Sequence, residues 1–159
     1  MVAEIADVVG QPVFGCAQHR DLQSFGHPRR GLADHDLLVV TGDIAHDEKK
    51  QTYELFQCHL GAGLTNFRLI PGNHDTRRYM REVFPGETGQ ESGTICFEEH
   101  LDGWALLGLD THVPGELHGE VGSTHLQWLL AKLAGHADER VVLFMHHPPV
   151  PVNLSLIHI

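Results

Sequence analysis

The chain has 159 residues, a length that fits one domain, and its 42% hydrophobic content is enough for a packed core. A formal net charge of −10 argues against a nucleic-acid polymer as partner, because phosphate backbones are held mainly by clustered Lys and Arg. No apolar run approaches the roughly 20 residues that a membrane span requires, and "MVAEIADVVG" carries acids where a signal peptide carries positive charge, so the expectation is a cytoplasmic protein with no membrane partner.

The first clear element is "DLLVVTGD" (36–43), an apolar run that ends in a glycine and a carboxylate. Residues 47–63 follow, in which Tyr53, Phe56 and Leu60 fall at helical spacing and Gly61 and Gly63 supply a stop. "FRLIPGNHD" (67–75) is a second strand-like run, and "TICFEE" (94–99) alternates with period two, as a strand paired antiparallel to "WALLGLD" (104–110) would. "STHLQWLLAKLAG" predicts a helix, with Thr124 and Gln127 in a capping-box pattern and Leu126, Leu129, Leu130 and Leu133 on one stripe. The last run is "RVVLFMHH" (140–147). Such runs, dense in Val, Leu and Ile, suit strands covered on both faces. Strand alternates with helix, so the class is α/β with a mixed sheet.

Ligand chemistry gathers at the strand ends. Binding sites in open α/β sheets lie beyond the carboxyl ends of the strands, and Asp43, Asn73 and His146 each stand there on a different run. A carboxylate such as Asp43 can bridge two cations. The Asn73 amide oxygen is a neutral ligand for a divalent ion, and the adjacent His74 imidazole can serve as a general acid, with Asp75 placed to orient it. In "FMHHPPVP" two prolines stop the strand behind the imidazoles; His146, nearer the strand, is the predicted ligand, and His147 the predicted substrate or second-layer contact. Asp110 also ends a strand, where loop capping is the preferred role. Cys16, Cys58 and Cys96 are odd in number and lack C-x-x-C spacing, which argues against a disulfide framework and a thiolate zinc site. A metal would therefore be held by oxygen and imidazole, a donor set that suits Mn, Fe, Co or Zn. Neither G-x-G-x-x-G nor G-x-x-x-x-G-K-[ST] occurs, so a nucleotide-binding α/β domain is a distant reading.

The combination of Gly42-Asp43, "GNHD" and "HHPP" resembles the calcineurin-like metallophosphoesterases, and within them the class III cyclic nucleotide phosphodiesterases, with "LDTHVPGELHGEVGSTHLQWL" as a further match. The resemblance implies a two-layered β-sandwich, two mixed sheets flanked by helices, incomplete at its C-terminus. It also implies two divalent metals and hydrolysis of a phosphodiester such as 3',5'-cyclic AMP, or of a monoester, by a metal-bound hydroxide. Asp43 would bridge the metals, Asn73 and His146 would ligate the second, and His74 would contact the phosphate and assist the leaving group.

The chain departs from that pattern at both ends. The family's opening Asp-x-His is absent; Asp7 is the nearest candidate, but Val9 stands where the His belongs, and Asp21 lies too close to Asp43. The closing Gly-His-x-His is absent as well. The expectation is one partial domain over 1–159, with a motif-bearing core at 36–152 and a non-native tail at 153–159. One metal at most would be held, and an inactive metal-binding fragment stands as the alternative to an active hydrolase. The partner expected is a small phosphoester, and the sequence leaves the oligomeric state open, a homodimer included.

Overall fold

The structure is a computed structural model that describes residues 37–60, 66–88 and 93–150 in full and the backbone of residues 2–5. The first sheet holds β1 (Val2–Ile5), β2 (Leu37–Val40) and β3 (Phe67–Leu69), all parallel in that order. The second holds β4 (Phe97–Leu101), β5 (Trp104–Leu109) and β6 (Arg140–Met145), with β4 antiparallel and β6 parallel to β5. Three helices complete the described chain: α1 (Lys50–Leu60), α2 (Arg77–Val83) and α3 (Ser123–Gly135). The α/β class and the mixed second sheet follow the sequence expectation, whereas the first sheet is all parallel among the described residues rather than mixed.

Period-two alternation explains how β2 fills two cores at once. Leu38 and Val40 pack with Tyr53, Phe56, Phe67, Leu69, Met80 and Phe84, which places α1 and α2 over one face. Leu37 and Val39 belong to a second cluster with Ile70, Phe97 and Leu106, which joins the two sheets. All four β2 residues are buried as a result. Each large apolar side chain buried in this way contributes roughly 1.5–3 kcal/mol.

Three elements differ from the sequence reading. α2 is only seven residues long, too short for its buried Met80 and Val83 to show a periodic stripe. The helix at 123–135 forms, but Gly122 is its N-cap and no side chain caps it, so Thr124 lies inside the first turn and the capping box is not made. Its leucines also stay outside the core: Leu126, Leu130 and Leu133 are exposed, and α3 buries no residue. β6 is likewise only partly covered, with Leu143 exposed, because it forms the edge of its sheet among the described residues. Among the cysteines, Cys96 is a free thiol. Asp7, Asp21, the Gly61 and Gly63 stop and the 153–159 tail lie outside the described residues. No helix among those described is long and apolar enough to cross a membrane.

One ion pair ties α2 to the second sheet. Arg77 donates through Nε and Nη2 to the two oxygens of the fully buried Asp110, at 2.6 and 2.8 Å, and Nη2 also reaches the His112 carbonyl. The same carboxylate accepts the backbone N–H groups of Ile95 and His112, a loop-capping role combined with a salt bridge. Asp110→Ala strands a guanidinium and two N–H groups, and urea unfolding should register a loss of about 3–5 kcal/mol. The paired change Arg77→Met/Asp110→Leu, which removes both charges, should recover part of that loss.

Candidate metal and active site

The site is built where the chain leaves β2 and β3. Gly42 has φ +110° and Asp43 has φ +55°, so the chain turns sharply at the strand end. The two loops then pass in near contact: a Cβ at Gly42 would stand 2.3 Å from the Gly72 nitrogen, and one at Gly72 would stand 2.2 Å from Asp43 Oδ1. Only glycine fits at either position.

Asp75 fastens these loops together. Its Oδ1 accepts the N–H groups of Ile44 and Ala45, at 3.1 and 3.2 Å, and the Tyr53 hydroxyl at 3.0 Å, while Oδ2 accepts the Gly72 N–H at 2.9 Å. Burial pushes the Asp75 carboxyl up, and the bonds from Gly72, Tyr53 and Ala45 pull it back toward the anion. Burial and the Asp75 charge hold Tyr53 protonated, so it donates to Asp75 and accepts the Thr76 N–H. These bonds correct the expectation that Asp75 orients His74. The carboxylate turns into the fold, no hydrogen bond among the described residues joins it to the His74 ring, and it positions the loops instead.

Three predicted ligands meet at the edge. His146 Nε2 lies 3.2 Å from Asn73 Oδ1 and 3.5 Å from Asp43 Oδ2. On the other side of the ring, Nδ1 is 2.9 Å from the Thr41 carbonyl, to which it can only donate. A neutral imidazole has one N–H, and with that proton on Thr41 its Nε2 turns a lone pair toward two oxygen acceptors. In that tautomer Nε2, Asn73 Oδ1 and Asp43 Oδ2 are three electron-pair donors converging on one point, and an outer carbonyl that fixes a ring's tautomer is the usual support of a metal-bound His. The donor set therefore fits a divalent ion.

The two remaining predicted residues flank this point. The His74 N–H donates to Asp43 Oδ1 at 3.1 Å, and its ring lies 4.2 Å from that of the exposed His46. His46, three positions after Asp43, has no sequence signal of its own and is found only through this contact. The His147 ring packs against Gly119, where a Cβ would come within 2.3 Å of it, and Nδ1 is 2.7 Å from Thr111 Oγ1. Burial first, and then the neighbouring His146, hold its pKa below the ordinary value, so the imidazole is neutral near pH 7. Its Nε2 is buried without a partner, as is Nδ1 of the similarly desolvated His112.

This fold, with oxygen and imidazole donors gathered at one edge of a sandwich, defines a metallophosphoesterase, and the comparison with known families agrees. The calcineurin-like phosphoesterase model matches residues 2–156, and the chain belongs to that family, whose members use divalent metals. Among curated relatives it is 35% identical over 130 residues to the cAMP/cGMP dual specificity phosphodiesterase MT0825 of Mycobacterium tuberculosis, covering 76% of this chain and 39% of the relative. It is 32% identical to the 3',5'-cyclic adenosine monophosphate phosphodiesterase CpdA of Escherichia coli K12, over 77% of this chain and 43% of the relative. With a probable glycerophosphodiester phosphodiesterase GpdQ of Arcobacter nitrofigilis it shares 30% identity, over 76% and 44%. The chain thus spans about two-fifths of the length of these relatives.

The role of Asp75 is open to a direct check. In Asp75→Asn one oxygen becomes an NH2 group, so a buried N–H loses its acceptor and meets a donor. Urea unfolding should show a loss of about 3 kcal/mol, and titration with Mn²⁺ should show weakened binding although no ligand has been changed.

Proposed function

We propose that the protein hydrolyses a small phosphodiester, with Asp43, Asn73 and His146 holding a divalent ion of the Mn, Fe, Co or Zn class. The observation that carries this reading is the convergence of His146 Nε2 with two oxygens, Asn73 Oδ1 at 3.2 Å and Asp43 Oδ2 at 3.5 Å, on a ring anchored through Nδ1 to the Thr41 carbonyl. A diester is favoured because the relatives named above act on cyclic nucleotides or glycerophosphodiesters, which share that linkage; 3',5'-cyclic AMP is the substrate we assign. When bound, such an ion supplies positive charge against the phosphoryl oxygens and acidifies the water it holds.

The remaining steps belong to the chain's own residues. His74, on the turn beside Asn73 and held through its backbone by Asp43, donates a proton to the leaving oxygen. His147, neutral and tied through Nδ1 to Thr111, stands behind His146 as a second-layer contact of the edge. At the strand edge the described donors amount to one metal position, an observation that favours a second reading, binding of one ion there without turnover.

Calorimetric titration with Mn²⁺ and assays on bis(p-nitrophenyl) phosphate, 3',5'-cyclic AMP and p-nitrophenyl phosphate separate these readings. One ion at the strand edge and turnover of the diesters are expected, both lost in Asn73→Ala. His74→Ala should retain the ion and lose about 10²-fold in turnover, the ordinary worth of a positioned acid. Binding without turnover would replace the hydrolase by the one-ion module, and preference for the monoester would replace the diester. Absence of binding would overturn both readings.

A further inference from the structure

A second cluster of imidazole and carboxylate lies at the opposite end of the second sheet. Glu98 and His100 are two apart on β4 and so share a face, the one that α3 covers with Lys132 and His136. One donor atom from each of Glu98, His100 and His136 falls within 4.8 Å of the other two. His100 pairs through Ala105 with Val141, near the start of β6, whereas His146 follows its end. At roughly 3.3 Å per residue the two groups are about 16 Å apart along the strand. The cluster is therefore separate from the strand-edge site.

We infer that Glu98, His100 and His136 form a second, structural site for a borderline divalent cation such as Zn²⁺, which latches the C-terminal turn of α3 onto β4. His136 Nε2 already lies 2.5 Å from Glu98 Oε1, and its Nδ1 is 2.9 Å from Glu139 Oε1. The second oxygen of Glu139 is 3.4 Å from His100 Nδ1. Glu139 thus faces both rings as the outer carboxylate that orients metal-bound imidazoles and strengthens them as donors. Tetrahedral zinc with bonds of about 2.0–2.2 Å holds its donors roughly 3.3 Å apart, so a spread of up to 4.8 Å closes with small side-chain rotations, leaving a fourth position for water. Two carboxylates outweigh the one nearby ammonium, Lys132, which contacts the other oxygen of Glu98 and has a flexible stem on which to withdraw. α3 buries no side chain of its own, so a cation here would do what apolar packing does for other helices.

The test uses Co²⁺, whose visible ligand-field bands report imidazole coordination, in the full chain carrying His146→Ala to silence the strand-edge site. Bands should appear at one equivalent, be displaced by Zn²⁺, and fall at least tenfold in apparent affinity on adding His100→Ala, at an exposed position whose loss leaves the fold intact. Zn²⁺ should raise the melting temperature of His146→Ala and fail to do so once His100→Ala is added. Lys132→Ala should bind as tightly or more so. Absence of bands in His146→Ala would overturn the site and leave His136 as an imidazolium between two carboxylates, and bands indifferent to His100→Ala would overturn it equally.

Discussion

The structure depends on two loops passing closer than any side chain allows. Gly42 and Gly72 face each other at a separation that excludes a Cβ on either, and the chain reaches that geometry only with Asp43 in the left-handed region, at a cost of about 1–2 kcal/mol for a non-glycine residue. Asp75 offsets that cost. It accepts four hydrogen bonds, from both loops and from the hydroxyl of the helix residue Tyr53, and bonds to a buried carboxylate are the stronger kind. Asp43 and Asn73 are thereby fixed by a residue that offers nothing to a ligand itself.

His146 then meets them from the other sheet. Its carrier, β6, is an edge strand among the described residues with little burial of its own, so the imidazole is aimed chiefly by its bond to the Thr41 carbonyl, which belongs to the loop after β2. The edge is thus assembled by polar contacts across the sandwich. The interior joins the sheets with Leu37, Val39, Ile70, Phe97 and Leu106, while Arg77 and Asp110 supply a second, ionic tie. Each layer of the fold contributes a donor, and neither sheet alone holds all three.

Much of this was legible in the residues. Strand positions follow from short apolar runs, and the three ligand types stand out because each directly follows such a run. Direction was harder to read. Asp75 sits beside His74 in sequence, which suggests a pair, but the turn sends the carboxylate inward and leaves the imidazole at the edge. Periodicity shows that Leu126, Leu130 and Leu133 share a stripe and is silent on whether anything covers it. His112 and His46 carry no signal because their significance lies in contacts with segments far along the chain or across a turn. The same holds for Glu98, His100 and His136, which join only when β4 comes to lie beneath the end of α3.

That last arrangement bears on how the second layer is stabilised. A helix of 13 residues is marginal by propensity alone and ordinarily depends on an apolar face docked into a core. α3 has the leucines for such docking and does not use them among the described residues. Its contacts with β4 are instead polar and lie at its last turn, where Lys132 and His136 reach Glu98. Both pairs are part-buried, and ion pairs of this kind are weakened by salt as apolar packing is not, so the seat of α3 on the sheet is sensitive to ionic strength. The loop that precedes α3 carries Gly119, against which His147 packs. That loop is bridged to the segment after β5, His112 against Gly119 and the Glu120 N–H on the Thr111 carbonyl, which ties the imidazole to the same strand edge as Asp43, Asn73 and His146.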